Sequence, residues 1–278
     1  MNDISVKKIA INRVVKNQLN SADDIVAIEE PLEIRLVYGS VENRISKNIS
    51  VTMRTPSNDE ELAIGFLFTE GILKNISEVK SLKKDILNEN IISIKLNENV
   101  TPEIQKLERN FYTTSSCGVC GKSSIDAIRV VSRNTNSTDI NIKIKSDLIY
   151  ELPQMLRQQQ SIFDKTGGIH ASALFTLEGK FLALKEDVGR HNALDKLIGF
   201  CLQNGELNFS NKILLLSGRA SFELIQKAAM AGIKLIAAVG APSSLAVELA
   251  MEFDMTLIGF LKEDRFNIYC GAQRIEVA

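Results

Sequence analysis

Up to about Asn110 the chain is rich in Ile, Val and Thr set alternately with polar residues. Alternation of period two predicts strands, here Ile25–Ile28, Leu32–Tyr38, Ile45–Arg54 and Ile91–Leu96. Between them, Ser57-Asn58-Asp59-Glu60-Glu61 reads as a helix cap with an acidic first turn. That helix is expected to run to about Leu73, with Leu62, Phe66, Leu67 and Leu73 roughly on one face.

From Asn110 to Ser124 the pattern changes to small, polar and glycine-punctuated residues, which predicts a loop leading to a helix near Ser123. Arg133 to Ser137 reads as a polar turn, and a helix is expected from about Ser146 to Gln160, bent or split at Pro153. Beyond it, strand and helix patterns alternate. The strands are Ala171–Leu177, Phe181–Lys185, Lys212–Ser217, Lys234–Val239 and Thr256–Leu261, and the helices Arg190–Leu202, Ser221–Ala231 and Ser243–Phe253. Such alternation predicts a three-layer α/β domain with largely parallel pairing. The chain thus divides into a strand-rich region over 1–110, a loop over 111–124 expected to be mobile, and an α/β domain over 125–278.

Lys and Arg total 33 against 34 Asp and Glu, which gives no support for a broad nucleic-acid surface. Neither a signal-like apolar stretch at the N-terminus nor a membrane-length apolar run is visible, so a cytoplasmic protein without a membrane partner is expected. Of the four cysteines only Cys117 and Cys120 are close in sequence, which in a reducing compartment argues for a reactive or metal-binding pair.

Cys117-Gly118-Val119-Cys120 sits on a polar loop before a predicted helix, with Lys122 two residues on. A helix N-terminus and a nearby cation both favour thiolate, the nucleophilic form. Four readings compete: a structural zinc half-site, a thioredoxin-type dithiol, a persulfide relay, and two incidental buried cysteines. Zinc needs two further ligands, yet Cys201 sits at an apolar helix position and Cys270 near the end. The dithiol reading lacks its usual context after a strand, and the small polar neighbours speak against burial. Two decoys fail. Ser116 to Ser123 nearly spells a phosphate-binding loop but lacks its first glycine and a leading strand. A zinc deaminase motif would need Glu where His170-Ala171-Ser172 has Ser.

Both histidines, His170 and His191, fall at element edges, where capping and catalysis are about equally expected. Arg190 and His191 open a helix, an end whose dipole disfavours cations, so an anionic ligand is favoured there. Ser217-Gly218-Arg219-Ala220-Ser221 and Gly240-Ala241-Pro242-Ser243-Ser244 are small-residue turns leading from strand to helix. Each alone is read as ordinary N-capping by Ser221 or Ser243. Together, on successive βα units, they suggest a nucleotide-like ligand outside the carboxyl ends of the strands. Phe260-Leu261-Lys262-Glu263-Asp264-Arg265 is either a solvated hairpin tip or a flank for a guanine or phosphate group.

Ser116 to Gly121, Gly168 to Ala173, Glu186 to Lys196, Leu216 to Arg219 and Arg265 to Tyr269 jointly resemble the formate dehydrogenase accessory sulfurtransferase family, the FdhD type. The resemblance implies a cytidine-deaminase-like α/β sandwich without the deaminase zinc site, in the C-terminal domain of a homodimer. It implies a sulfur carrier that takes a persulfide from a cysteine desulfurase and sulfurates the molybdenum of Mo-bis(molybdopterin guanine dinucleotide), or tungsten in its place. That cofactor is cargo destined for formate dehydrogenase, and no permanently bound metal is implied. Cys117 is implied as the persulfide cysteine with Cys120 assisting, and the stretch Phe260, Leu261, Lys262, Glu263, Asp264 and Arg265 as cofactor-binding. Ser217, Gly218, Arg219 and His191 are the other positions expected to meet the cofactor. A cofactor-binding chaperone with no covalent sulfur step remains the alternative.

Overall fold

The computed structural model describes residues 4–102, 143–206 and 208–277. Strands β1 (Val6–Val15) and β2 (Gln18–Ala27) form an antiparallel ribbon by themselves. Its two turn residues, Lys16 and Asn17, both have positive φ, as a tight hairpin turn matched to strand twist requires. Strand β3 (Glu30–Tyr38) and strand β4 (Ile45–Arg54) follow, then helix α1 (Asp59–Thr69), strand β5 (Val79–Lys84) and strand β6 (Ile91–Leu96). The four strands form a sheet in the order β4-β3-β6-β5.

The expected helix to Leu73 stops four residues early. Gly71 turns left-handed, and the N–H groups of Gly71, Ile72 and Leu73 fold back onto the carbonyls of Phe68 and Leu67. Strands β1 and β5 escaped the sequence reading because their apolar residues are interrupted by lysines.

After the short strand β7 (Ile144–Lys145) come helices α2 (Ser146–Gln159) and α3 (Ser161–Thr166). Helix α2 is one element through Pro153, so the expected split is absent there; the break falls at Gln160 instead. Next are β8 (His170–Thr176), β9 (Phe181–Asp187), α4 (Arg190–Gln203), β10 (Lys212–Leu216) and α5 (Phe222–Met230). The chain continues with β11 (Leu235–Ala238), α6 (Ser244–Glu252), β12 (Thr256–Gly259), β13 (Asn267–Cys270) and β14 (Ile275–Glu276), which pairs with β7.

Six of these strands form one sheet in the order β13-β12-β11-β10-β8-β9. The largely parallel pairing expected for it is corrected to a mixed sheet. Strands β9, β10, β11 and β12 run in one direction, joined by crossover helices α4, α5 and α6, but adjacent parallel pairing is confined to β10-β11 and β11-β12 because β8 lies between β9 and β10. Strands β8 and β9 meet through a tight turn at Gly179, and β13 returns beside β12 after a short turn, so both connections force antiparallel pairing.

Side chains alternate across this sheet. Ile213, Leu215, Leu235 and Ala237 pack with Ile149, Leu152 and Leu156 of α2. Leu214, Leu216 and Ile236 face α4, α5 and α6 on the other side, which gives the three layers expected. The same apolar cluster continues through α1 to Leu32, Ile34, Leu36, Ile92 and Ile94 of the four-stranded sheet. Helices α1 and α4 cross almost in backbone contact. A Cβ on Gly65 would lie 1.8 Å from the Asp195 carbonyl oxygen, and one on Gly199 would lie 1.9 Å from that of Glu61. Among the described residues no helix is long and apolar enough to cross a membrane.

Candidate functional site

Topology brings many of the polar positions to one end of the six-stranded sheet. The carboxyl ends of parallel β10, β11 and β12 lie there. So do the start of antiparallel β8, with His170, the end of β9, with Asp187, and the start of β13. This is the edge at which open α/β sheets bind ligands.

The strand-end loops are stitched to one another. Gly240 N–H donates to the Gly218 carbonyl at 3.0 Å, Ala220 N–H to Ala241 at 3.1 Å, and Ser243 N–H to Ala220 at 3.0 Å. Phe260 N–H donates to the Gly240 carbonyl at 3.1 Å, which joins the third loop to the second. The close approach needs glycine at 240, where a Cβ would lie 2.9 Å from the Arg219 nitrogen. Gly218 in turn packs under His170, whose Nδ1 would be 3.2 Å from a Cβ at that position.

Ser217 fastens this edge. Its hydroxyl accepts from Ala171 N–H at 2.8 Å, while its own N–H donates to the Ala171 carbonyl at 3.0 Å. Ser243 caps α6 as expected, accepting from Ala246 N–H at 3.3 Å. Ser221 does not cap α5; its hydroxyl stands 3.3 Å from His191 Nε2. Glu223, in the first turn of α5, lies 3.7 Å from the same nitrogen. Burial pushes the Glu223 carboxyl up, but hydrogen bonds from His191, its own backbone and Ser221 outweigh it and hold it at about 2. Sequence reasoning missed this group, although Ser221 and Glu223 in the first turn of a helix beside a strand-end loop were a usable signal.

His170 is half-buried, and its imidazole is held below the ordinary histidine range by burial first, then by Arg190, His191 and Arg219. The partly buried Arg190 and the exposed Arg219 thus share this edge with His170. On the neighbouring turn Phe260 is left-handed, with φ of 52°, and its ring is 44% exposed. A bulky side chain rarely adopts that conformation. Leu261 points into the core, so its side chain anchors the turn and does not face a ligand. Lys262 N–H closes the turn on the Arg265 carbonyl at 2.9 Å, and Lys262, Glu263, Asp264 and Arg265 are all exposed.

Much of the polar block from Glu186 to Lys196 is structural. Asp187 is fully buried, paired with Lys196 Nζ at 2.7 Å. It also accepts from the N–H groups of Thr55 and Gly189 and from the Asn192 amide. Lys196 donates to the Thr55 carbonyl at 2.9 Å, and Asn192 to that of Met53 at 2.7 Å. Asp195 accepts from Thr69 Oγ1 at 2.8 Å and pairs with Lys227 at 2.9 Å. These side chains tie the first sheet and α1 to the second sheet, which holds the turn bearing Arg190 and His191 in place.

Cys117, Cys120 and the loop 111–124 that carries them lie outside the described residues. Cys201 is buried in α4, and burial pushes its thiol up to about 12, so it is an inert apolar side chain. Cys270, half-buried in β13, is also raised, chiefly by burial.

The chain matches the profile of the FdhD/NarQ family over residues 27–276. The chain belongs to the FdhD/NarQ family. One relative, the sulfur carrier protein FdhD of Streptomyces avermitilis, is 47% identical over 270 residues, covering 95% of this chain and 93% of its own length. Another, of the same description, from Saccharolobus solfataricus, is 39% identical over 272 residues, covering 98% of this chain and 99% of its own. A solved chain from Desulfotalea psychrophila, described as a candidate formate dehydrogenase accessory protein, superposes with a TM-score of 0.71. It covers 98% of this chain and 99% of that chain at 22% identity, which speaks for the fold alone.

Proposed function

We propose that this FdhD/NarQ chain is a cytosolic sulfur carrier serving formate dehydrogenase, with Cys117 as the thiol that is loaded and Cys120 as its assistant. The Cys117 thiolate attacks the outer sulfur of a persulfide on a cysteine desulfurase, and the donor cysteine leaves as thiolate. The S–S bond on Cys117 then breaks, Cys117 leaves as thiolate, and the outer sulfur bonds as sulfide to the molybdenum of Mo-bis(molybdopterin guanine dinucleotide), held as cargo, whose reduced metal supplies the two electrons. A deaminase-like sandwich assembled as a homodimer is the frame proposed for both steps.

The observation that carries this reading is the ledge of interlocked strand-end loops at one sheet edge. Arg219 and His191 offer donors for phosphate, and Phe260 presents an aromatic face for a base. Nucleotide tails held there supply binding energy far from the metal and so position it for transfer. Inert Cys201 adds support, since it leaves the Cys117 and Cys120 pair as the reactive thiols of choice.

The test is intact-mass measurement after incubation with a cysteine desulfurase and cysteine. The wild type is expected to gain the mass of one sulfur, Cys117→Ala none, and Cys120→Ala a reduced amount. A chaperone without a covalent step gains nothing in any variant. In the same preparations guanosine diphosphate should raise the melting temperature, and Arg219→Ala should weaken that shift about tenfold in ligand concentration.

A further inference from the structure

His170 opens β8 and pairs across the sheet with Asp187 of β9. The two hydrogen bonds between Ala171 and Ser217 hold its backbone against the loop after β10. The ring then lies on Gly218, with Nδ1 3.2 Å and Cε1 3.4 Å from where a Cβ at 218 would stand. The imidazole thus sits on the first of the interlocked strand-end loops, and a side chain at 218 would crowd it. Neither ring nitrogen has a hydrogen-bond partner among the described residues, and neither is sealed from solvent. Most polar side-chain atoms that lose water in a fold gain a protein partner instead.

The charges around the ring are unbalanced. Arg190 and His191 act on it from the start of α4, and Arg219 from the loop after β10. Among the described residues the acid that opposes them is Asp187. That carboxylate is already engaged by Lys196 at 2.7 Å, by the N–H groups of Thr55 and Gly189, and by the Asn192 amide. Glu223 is likewise engaged, by His191 and Ser221. A phosphate among Arg190, Arg219 and the ring would supply the missing negative charge. The ring would then gain a proton and donate a charge-assisted hydrogen bond to a phosphate oxygen.

We infer that His170 is a phosphate-binding residue of this site and takes up a proton as a nucleotide diphosphate seats between it, Arg190 and Arg219. The inference rests on the nucleotide reading proposed above and adds to it a residue and a proton. The proton comes from solvent and returns there when the ligand leaves. Without ligand the ring titrates below the ordinary histidine range, and with ligand above its free value. Affinity is therefore level at high pH and rises as pH falls through the bound value. One linked proton changes affinity by at most about tenfold per pH unit.

The test is titration calorimetry of guanosine diphosphate onto the full chain from about pH 8 down to about pH 5.5, each in two buffers of different ionisation enthalpy. The wild type is expected to bind more tightly as pH falls and to take up protons. His170→Asn and His170→Gln keep an amide N–H near Nδ1 and Nε2 respectively but cannot titrate. Both should bind within about threefold of wild type at high pH and lose the uptake and the gain below it. The nucleotide's own phosphate titrates in all three proteins and so drops out of the comparison. Two substitutions of different length guard against a loss of fold in one. Guanosine, which has no phosphate, should bring no proton uptake. Proton uptake with guanosine, equal pH profiles in all three proteins, or a loss of the same factor at every pH overturns the role of His170 and leaves the nucleotide site standing. A wild type that binds no guanosine diphosphate at any pH overturns both.

Discussion

At the scale of single residues, the buried charges of the Glu186 to Lys196 block are the most exacting. Asp187 and Lys196 are wholly buried, and each satisfies backbone groups of the segment after β4. Replacing Lys196 by Met leaves the Asp187 carboxylate without its cation, and breaking a buried pair in this way costs about 3–5 kcal/mol. Urea denaturation of Lys196→Met is expected to show that loss in the midpoint. Glu223 makes a pH-dependent contribution. Its folded value of about 2 lies below the ordinary 4.5, so the stability it lends is present above about pH 4.5. That stability drains away as pH falls toward 2, and Glu223→Gln should flatten the stability–pH curve over this interval. An unaltered acid limb in the variant would count against the His191–Glu223 contact.

At the scale of elements, the crossing of α1 on α4 depends on two glycines. Gly65→Ala and Gly199→Ala each put a methyl group within 2 Å of a carbonyl oxygen on the facing helix, and neither backbone can retreat without moving the other. Overpacking of this kind costs about 1–3 kcal/mol, and a backbone obstacle belongs at the upper end. Thermal melting of either variant should show it, while Gly205→Ala, with open space around it, should cost less despite its positive φ. Most elements of the second half were legible from period alone. Pro153 was expected to bend or split α2, and the split is absent because the sequence shows the missing N–H but not the packing of Ile149, Leu152 and Leu156 that keeps α2 together.

At the scale of the whole molecule, one apolar cluster runs from Leu32 and Ile34 through α1 and α4 to Leu257. A fragment of residues 143–278 therefore loses the partners of Leu194, Leu197 and Ile198. It is expected to bind a hydrophobic dye and to lack a cooperative melting transition. A fragment that melts cooperatively would show that the second half folds without the first. The candidate site was half legible. The Gly218-Arg219 and Gly240 loops were readable as strand-end turns, whereas their stitching to Phe260 and the meeting of His170, His191 and Glu223 were not.

The sequence by itself determined the alternation of strands and helices, the family through its long polar block, and the two thiols that stand apart from buried Cys201. Those are matters of local spacing and residue type, which the chain carries in one dimension. Only the tertiary structure decided that β8, β9 and β13 run antiparallel to their neighbours, and that Ser221 faces a histidine while Ser243 caps a helix. It also decided that Asp187, Asp195 and Lys196 serve the fold more than the ligand. The physical reason is that pairing direction and hydrogen-bond partners depend on residues far apart in the chain, such as Asp187 with Thr55, whose meeting no local pattern encodes.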